Sequence, residues 1–347
     1  MGRLTAALAG RRLPPYRIVM PATMDEAPPT PDEVLIGRFD GLFMYRFTPA
    51  AAYNFVRATK LRGLPRLPLL EALGIGSLRG LDRVAAGHLN RRDGALKARA
   101  NSIVYQSALS RRMHLAISGS DPDGKTVDIL HNGVPCDVFR PVPKTVRRAG
   151  GPHLAITAQF RIGKRLRDAI GIANALRASH PGLKLHVIGD RDVLVDESLQ
   201  GLDLSPCEFH GRVPSSALPE FYADMDVGLS PSLFDACPNS VTEMLACGLP
   251  VITTRASGAA ELVPSCDLTV AETQPIDFTE YHNFRRFPAV ETVDWCRAIE
   301  RVLERRVYWR EVCLGHAREN FDIDVVAGRY AAVIEAAWER RTGGRGR

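Results

Sequence analysis

Two acidic side chains flank a turn in the segment PSLFDACPNSVTEMLACGLPVITT, which occupies residues 231–254. Asp235 precedes the Pro-Asn-Ser turn, and Glu243 lies in a short helix that we expect to stop at Gly248. Ser240 and Glu243 fit the S-x-x-E capping box, in which the glutamate accepts a hydrogen bond from an amide at the helix start. The same helix start could instead bind an anion, because its first amides lack partners and the helix dipole is positive there.

Alternating strands and helices in the second half of the chain would position these acids. The helical spacing of Leu166, Ile170, Ala173 and Leu176 predicts a helix over residues 164–179, and VPSSALPEFYADM predicts another at 213–225. Strands are predicted at residues 153–159, 183–190, 207–211, 226–232 and 249–254. Because short links join these elements, we expect a parallel sheet with helices on both faces.

Polar residues directly follow several of these predicted strands. Ligands of parallel sheets bind beyond the carboxyl ends of the strands, so we expect these residues on one common rim. They are Arg161, Asp190, Arg212 and Asp235. Short D-x-D triplets, such as Asp190 with Asp192, could hold a metal bound to a diphosphate. The triplet is common, however, and turns favour aspartate, so we expect no metal.

The first half of the chain is less regular. Strands are predicted in YRIVMP, EVLIGRFDGLFM, NSIVYQS and TVDILHNGV, and residues 53–100 look mainly helical. The Pro- and Gly-rich stretch DVFRPVPKTVRRAGGPH marks a domain boundary. We therefore assign residues 1–141 to a first domain, 142–152 to a linker and 153–320 to a second domain. Residues 321–341 are predicted to form a helix that packs back on the first domain, and 342–347 to form a disordered tail.

The composition is that of an ordinary folded protein of about two domains, with 347 residues, 45% apolar and 24% charged. No apolar run reaches the roughly 18 residues that span a bilayer, and the opening MGRLTAALAGRRLPPYRIVMP makes a poor signal peptide. We therefore expect a cytoplasmic protein. The seven cysteines are scattered without a C-x-x-C pair, which argues against structural disulfides and against a cysteine zinc site.

Positive charge is concentrated in the first half, although the net charge is only +6. Basic residues outnumber acids twelve to three between Arg57 and Arg112, and this stretch also holds leucine-rich segments such as LPRLPLLEALGIGSL. Such a surface could lie on anionic lipid at the inner face of the membrane, because apolar burial and charge attraction add. It could equally be a solvated helical face. Interleaved aromatic residues are scarce, which argues against RNA binding.

Several ordered segments resemble one enzyme family. HNGVPCDVFRP (residues 131–141) resembles the N-G-V-D-x-x-x-F-x-P segment that ends the first domain of retaining GT-B glycosyltransferases of family 4, the glycosyl transferases group 1. AITAQFRIGKRL, LHVIGD, FHGRVPSSALPEFYADMDVGLSPS and the segment from residue 231 are similar to that family's second domain, in the same order. Elsewhere in the first domain the match is thinner, and GRFDGLFM and IVYQSALSRRM resemble segments of some family members.

The resemblance implies an α/β protein with two Rossmann-like domains facing a cleft, the first of them short. It also implies a nucleotide-sugar donor on the second domain, a carbohydrate or lipid-linked acceptor on the first, and no cofactor. The family's E-x7-E pattern falls on Asp235 and Glu243, where the first acid reaches the donor sugar and the second reaches the nucleotide ribose. Aspartate is one methylene shorter than the family's usual first acid.

The family's cations that neutralise the diphosphate fall on Arg161 and Lys164, with a shorter gap than in most relatives. Asn239 and Ser240 would offer backbone amides to the phosphates, and Asp190, Arg212 and Val213 complete the implied donor site. These residue types suit the chemistry, because breaking a sugar–phosphate bond builds negative charge on the leaving diphosphate. Two fixed cations beside a helix start can stabilise that charge without a metal.

The sequence also leaves other functions open. The closest alternative is another GT-B enzyme, a nucleotide-sugar epimerase. A non-catalytic nucleotide-sugar-binding or scaffold subunit is a second alternative, because the first domain is short and YRIVMPATMDEAPPTP lacks the family's usual glycine-rich loop. A nucleic-acid-binding protein is the least favoured.

Overall fold

The computed structural model describes residues 2–20, 30, 32–39, 94–118, 120–143, 150–233, 235–274 and 290–343. The chain divides into two compact units. The six-stranded unit consists of Met1–Arg12, Gln106–Leu109 and Leu130–Ala332. The four-stranded unit consists of Leu13–Tyr105, Ser110–Ile129 and Val333–Arg347. Most of the basic stretch that begins at residue 57 lies outside the described residues.

The six-stranded unit is built on a parallel sheet. Its strands are β5 (His153–Thr157), β6 (Lys184–Ile188), β7 (Cys207–Gly211), β8 (Val227–Ser230), β9 (Val251–Thr254) and β10 (Thr269–Val270). The sheet order is β10-β9-β8-β5-β6-β7, with every neighbouring pair parallel. The five strands predicted in this half are confirmed, and the two-residue β10 is an addition. Such a short strand leaves no periodicity in the sequence to recognise.

Helices cover this sheet. They are α3 (Leu166–Leu176), α4 (Val193–Ser198), α5 (Leu218–Ala223), α6 (Asn239–Ala246), α7 (Thr292–Glu304) and α8 (Arg306–Phe321), and α1 (Gly2–Ala9) belongs to the same unit. The four apolar residues used to predict α3 are all buried in the core. The helix begins at Leu166 because Arg165 has a left-handed backbone with φ of 56°. Gly248 follows α6 with φ of 73°, which confirms its predicted role in ending that helix.

The four-stranded unit contains β1 (Tyr16–Val19), β2 (Val34–Phe39), β3 (Ser102–Tyr105) and β4 (Thr126–Ile129), all parallel and paired in that order. These strands confirm the four predicted in the first half. Most of α2 (Ala108–Ser118) also belongs to this unit, as does the end of α9 (Ile323–Thr342). Arg340 near the end of α9 donates to Ser102 Oγ at 3.0 Å and Thr126 Oγ1 at 2.9 Å.

The strand order of the six-stranded unit creates a crevice. From β5 the chain adds β6 and β7 on one side, and then crosses to add β8, β9 and β10 on the other. The segments that leave β5 and β8 therefore diverge at the carboxyl end of the sheet. Open α/β sheets bind ligands at such a switch point. In the part of the chain that the structure describes, no helix is long and apolar enough to cross a membrane.

Candidate functional site

A pocket lies at this switch point in the six-stranded unit. Its floor is formed by the ends of β5 and β8, and its walls by the loops that follow these strands. The lining residues are Ile156, Thr157, Ala158, Lys164, Leu229, Ser230, Pro231, Ser232, Asp235, Pro238 and Ser240. Three of the residues assigned from the sequence, Lys164, Asp235 and Ser240, are thus brought together.

Lys164 reaches the pocket from a tight turn directly after β5. Ile162–Lys164 form one turn of 3-10 helix, and the left-handed Arg165 then redirects the chain into α3. The Lys164 ammonium forms an ion pair with the Asp235 carboxylate, and both side chains are partly exposed. Ser232 Oγ donates to the Gly163 carbonyl at 3.3 Å, which also links the two loops. The ammonium therefore has a defined position at the mouth of the crevice.

The start of α6 provides unpaired amides beside this ammonium. Pro238 caps the helix without a side-chain hydrogen bond, and the Asn239 and Ser240 amides donate to no other described residue. Asn132 holds this end of the helix in place, since its side-chain amide donates to the Cys237 carbonyl at 3.0 Å and to Asn239 Oδ1 at 2.9 Å. Unpaired amides and the positive end of the helix dipole are the features with which a helix start can bind an anion.

Glu243 does not form the capping box that its spacing with Ser240 permits. It is buried in the first turns of α6, with 7% of its surface exposed, and its carboxylate accepts from Arg3 Nη1 at 3.0 Å. Burial raises the pKa of Glu243 above its usual 4.5, and the nearby Arg3 guanidinium partly opposes that rise. Arg3 also lies 5.4 Å from the ring centre of Phe139. Nothing in the sequence pointed to Arg3, because the two residues are 240 positions apart.

The other predicted donor residues lie outside the pocket lining. Arg161, Asp190 and Arg212 follow β5, β6 and β7 as expected, and each is exposed. Val213 is partly buried against the core. The crevice lies between the segments that leave β5 and β8. Asp190 follows β6 and Arg212 follows β7, and these strands lie on the other side of β5, so both residues are on the rim but outside the crevice.

Glu261 is a partly buried acid of the same unit, and no sequence motif pointed to it. Its carboxylate accepts from the amides of Ala108 at 2.7 Å and Leu109 at 2.9 Å, which begin α2. His131 Nε2 lies 3.5 Å away. Burial alone would raise the pKa of Glu261, but the nearby His131 and the hydrogen bonds from the two amides hold that pKa below its usual 4.5. The acid thus supplies the negative charge that a helix start favours.

The comparisons with known proteins agree with this architecture. Residues 151–281 match the family model for glycosyl transferases group 1. Among curated proteins, glycogen synthase of Mycobacterium tuberculosis is 26% identical over 141 residues, which make up 40% of this chain and 34% of that protein. The match thus spans about a third of that relative. The predicted family resemblance is confirmed for residues 151–281.

Solved structures extend the likeness to most of the chain. HepE of Anabaena in complex with UDP superimposes with a TM-score of 0.58 at 15% identity, covering 88% of this chain and 72% of HepE. HepE in complex with UDP-glucose gives a TM-score of 0.57 at 14% identity, with the same coverage. Sucrose-phosphate synthase of Thermosynechococcus elongatus gives 0.56 at 15% identity, covering 89% of this chain and 69% of that chain. These likenesses confirm the GT-B fold class with its two Rossmann-like domains.

Proposed function

We propose that the chain is a glycosyltransferase that moves a sugar from a nucleotide-diphosphate donor to a carbohydrate or lipid-linked glycan acceptor. The proposal further includes retention at the anomeric carbon and catalysis without a metal or cofactor. One observation supports it above the others. The switch-point pocket of a glycosyl transferases group 1 domain combines a positioned ammonium, Lys164, with the unpaired amides that begin α6.

The donor diphosphate would occupy the space between Lys164 and the start of α6. The Asn239 and Ser240 amides would donate to its oxygens, and Lys164 would exchange part of its pairing with Asp235 for the phosphate. Arg161, exposed at the start of the same turn, would add a second cation. As the sugar–phosphate bond breaks, these groups stabilise the charge on the leaving diphosphate, a contribution that typically reaches ~10²- to 10³-fold in rate.

The two acids would orient the rest of the donor. Asp235, at the mouth of the crevice, would accept hydrogen bonds from hydroxyls of the sugar. Glu243 would accept from the ribose, which requires it to exchange or share its contact with Arg3. Asp190, Arg212 and Val213 would contact the donor at the outer part of the rim. HepE has been solved with UDP and UDP-glucose, so uridine donors are the first to test.

Donor binding can be tested by thermal denaturation with UDP-, GDP- and ADP-sugars. At ~100 times the dissociation constant, a ligand that binds only the native state adds ~2.7 kcal/mol to the free energy of unfolding. We expect one nucleotide class to give such a rise in melting temperature, and Lys164→Ala to lose most of it. Lys184→Ala, a lysine of the same unit at the start of β6, is the control and should keep the full rise. An equal rise in both variants would contradict the proposed diphosphate site.

Activity is tested separately, by incubating donor with a panel of glycan and lipid-linked acceptors. Transfer with the donor's anomeric configuration retained supports the proposal. An isomerised donor without transfer would instead support the epimerase alternative, and donor binding with neither reaction would support a non-catalytic subunit.

Contact with an anionic membrane is proposed from the basic stretch alone. Vesicle co-sedimentation that is unaffected by anionic lipid would count against it.

A further inference from the structure

Three histidines on neighbouring strands of the six-stranded unit share one face of the sheet. In register, Ala155 of β5 pairs with His186 of β6, and His186 pairs with Glu208 of β7. Side chains alternate between the two faces along a strand, so His153 lies on the same face as Ala155. The register of β6 and β7 shifts at His210, and its contact with His186 places the His210 ring beside the other two. The residues form a chain of contacts, with His153 Nδ1 at 2.9 Å from His186 Nε2 and His186 Nδ1 at 3.0 Å from His210 Nε2.

The acid Glu208 lies beside the contact between His186 and His210. Glu208 Oε2 lies 3.4 Å from His186 Nδ1. One ligand atom from each of His186, Glu208 and His210 therefore falls within 4.8 Å of the other two. None of the three residues lines the switch-point pocket.

The spacing of these atoms suits a small transition-metal ion. Zinc binds imidazole nitrogen and carboxylate oxygen at about 2.0–2.2 Å in tetrahedral geometry, which sets neighbouring ligand atoms about 3.3 Å apart. The two contacts of His186 Nδ1, at 3.0 and 3.4 Å, bracket that separation. Two imidazoles with one carboxylate favour zinc over calcium or magnesium, which prefer sets of oxygen ligands.

Burial and a second ring contact restrict the orientation of the His186 ring. If His186 binds metal through Nδ1, its proton must lie on Nε2, where it would donate to His153 Nδ1. Metal-binding histidines usually make such a second hydrogen bond, which sets their tautomer. His186 is fully buried and His153 is 6% exposed, so neither ring has freedom to turn. Phe221 packs edge-on against His210, with ring centres 5.1 Å apart.

We propose that His186, Glu208 and His210 form a zinc site, with His153 as the positioning residue and one coordination position left open. The three ligands come from β6 and β7, and β7 lies at one edge of the described sheet. The ion would therefore fasten that edge strand to its neighbour. This site is separate from the donor chemistry, which we propose to be metal-independent, and it uses none of the seven cysteines.

Zinc content and affinity test the proposal on the full-length chain. After treatment with a chelator and titration with zinc chloride, we expect about one tightly bound zinc per chain and a rise in melting temperature. Glu208→Gln and His210→Gln should abolish that tight binding. Glu208 is partly exposed, so its variant is the one expected to keep its fold. His153→Leu should weaken zinc binding about 10- to 100-fold, and His153→Asn should restore part of the affinity by supplying an acceptor.

Two variants serve as controls for other zinc ligands. Cys207→Ser alters a neighbour on the opposite face of β7, and His180→Gln removes a histidine outside the cluster. Both should keep the tight zinc and its effect on melting temperature. The proposal is overturned if the native chain binds no tight zinc. It is also overturned if Glu208→Gln and His210→Gln, folded by circular dichroism, bind zinc as the native chain does.

Discussion

Glu243 is buried and Glu261 is partly buried in the same unit, and their pKa values are shifted in opposite directions. Glu243 has a single guanidinium partner, and burial dominates, so its pKa is raised. Glu261 has His131 and two backbone amides, and these outweigh burial, so its pKa is lowered. The two acids should therefore contribute to stability with opposite dependence on pH.

The Glu261→Gln variant tests the lowered pKa. A group with a lowered pKa stabilises the fold above its unfolded value, here about 4.5, and this stability is lost as the pH falls through the folded value. We expect the variant to lose about 1–3 kcal/mol of unfolding free energy at neutral pH. Glutamine has no negative charge, and it has one oxygen fewer to accept from the two backbone amides. Urea denaturation between pH 3 and 7 measures the difference from the native chain. A difference that stays constant below pH ~4.5 would contradict the assignment.

The Glu243→Gln variant should behave in the opposite sense. Because the pKa of Glu243 is raised, its contribution to the free energy of unfolding is fully present below the unfolded pKa of about 4.5. That contribution is lost as the pH rises through the pKa of the folded state. The neutral amide avoids that loss, so the variant should gain stability relative to the native chain as the pH rises above ~4.5. The same urea series measures it. A relative loss over that range would show that the Arg3 contact outweighs burial.

The residues of the pocket could be foreseen only in part. Lys164, Asp235 and Ser240 follow β5 and β8, and the strand pattern together with the family resemblance predicted that they lie close together, as they do in the pocket lining. Arg3 could not be foreseen, since a contact across most of the chain leaves no local pattern. The capping box, one of two interpretations of Glu243, is not formed, because α6 begins at Asn239 after Pro238 and Ser240 therefore lies inside the helix. Glu243 instead accepts from the distant Arg3 guanidinium.

At the scale of elements, the loops after β8 and β9 are packed too closely to admit a side chain. A Cβ on Gly258 would lie 1.9 Å from the Ala236 carbonyl oxygen and 2.8 Å from that of Asp235. The Gly258 amide also donates to the Asp235 carbonyl at 3.0 Å. The loop after β9 therefore sets the position of Asp235, and through it the position of the Lys164 ammonium.

Gly258→Ala should thus cost about 1–3 kcal/mol of stability and also weaken donor binding, because Asp235 must move. The matched control is Gly171→Ala in the middle of α3, where an added Cβ meets nothing within 4 Å. That change should stabilise the chain by about 0.5–1 kcal/mol and leave donor binding unchanged. Chemical denaturation and donor titration measure both variants. Equal stability of the two variants would refute the close packing.

Most elements could be predicted from apolar patterns, because β5, β6, β8 and β9 are short, largely buried runs between turn residues. The exceptions are informative. The two-residue β10 is too short for a pattern, and α3 starts later than predicted because Arg165 adopts a left-handed backbone that its residue type does not signal.

At the scale of the molecule, donor contacts should be confined to the six-stranded unit. We expect hydrogen exchange with saturating nucleotide sugar to slow at the Ile162–Lys164 turn and at the start of α6, where amides would bind phosphate. Peptides that contain β1 and β2 should exchange at the same rate with and without the sugar. Protection limited to β1 and β2 would place the nucleotide in the other unit.

The fold class could be predicted as a whole, yet the composition of each unit could not. Gly2–Ala9 and Gln106–Leu109 belong to the six-stranded unit although they come from the first third of the chain. Buried Leu4 and Leu8 are ordinary apolar residues of a short helix, and their partner surface cannot be read from their spacing. Packing between residues that are far apart in the chain decides which unit a segment joins. This packing leaves no recognisable pattern in a single sequence.

The central pairing of the six-stranded sheet has a consequence for refolding. Leu154 of β5 pairs with Val227 of β8, so β6, β7 and the helices between them are all enclosed in the loop that this pairing closes. The entropic cost of bringing two segments together grows with the length of chain between them, so this pairing costs more than a contact between near residues. The crevice exists only after β5 and β8 have met. A partly folded chain that lacks this pairing would hold substantial secondary structure and still be unable to capture a nucleotide.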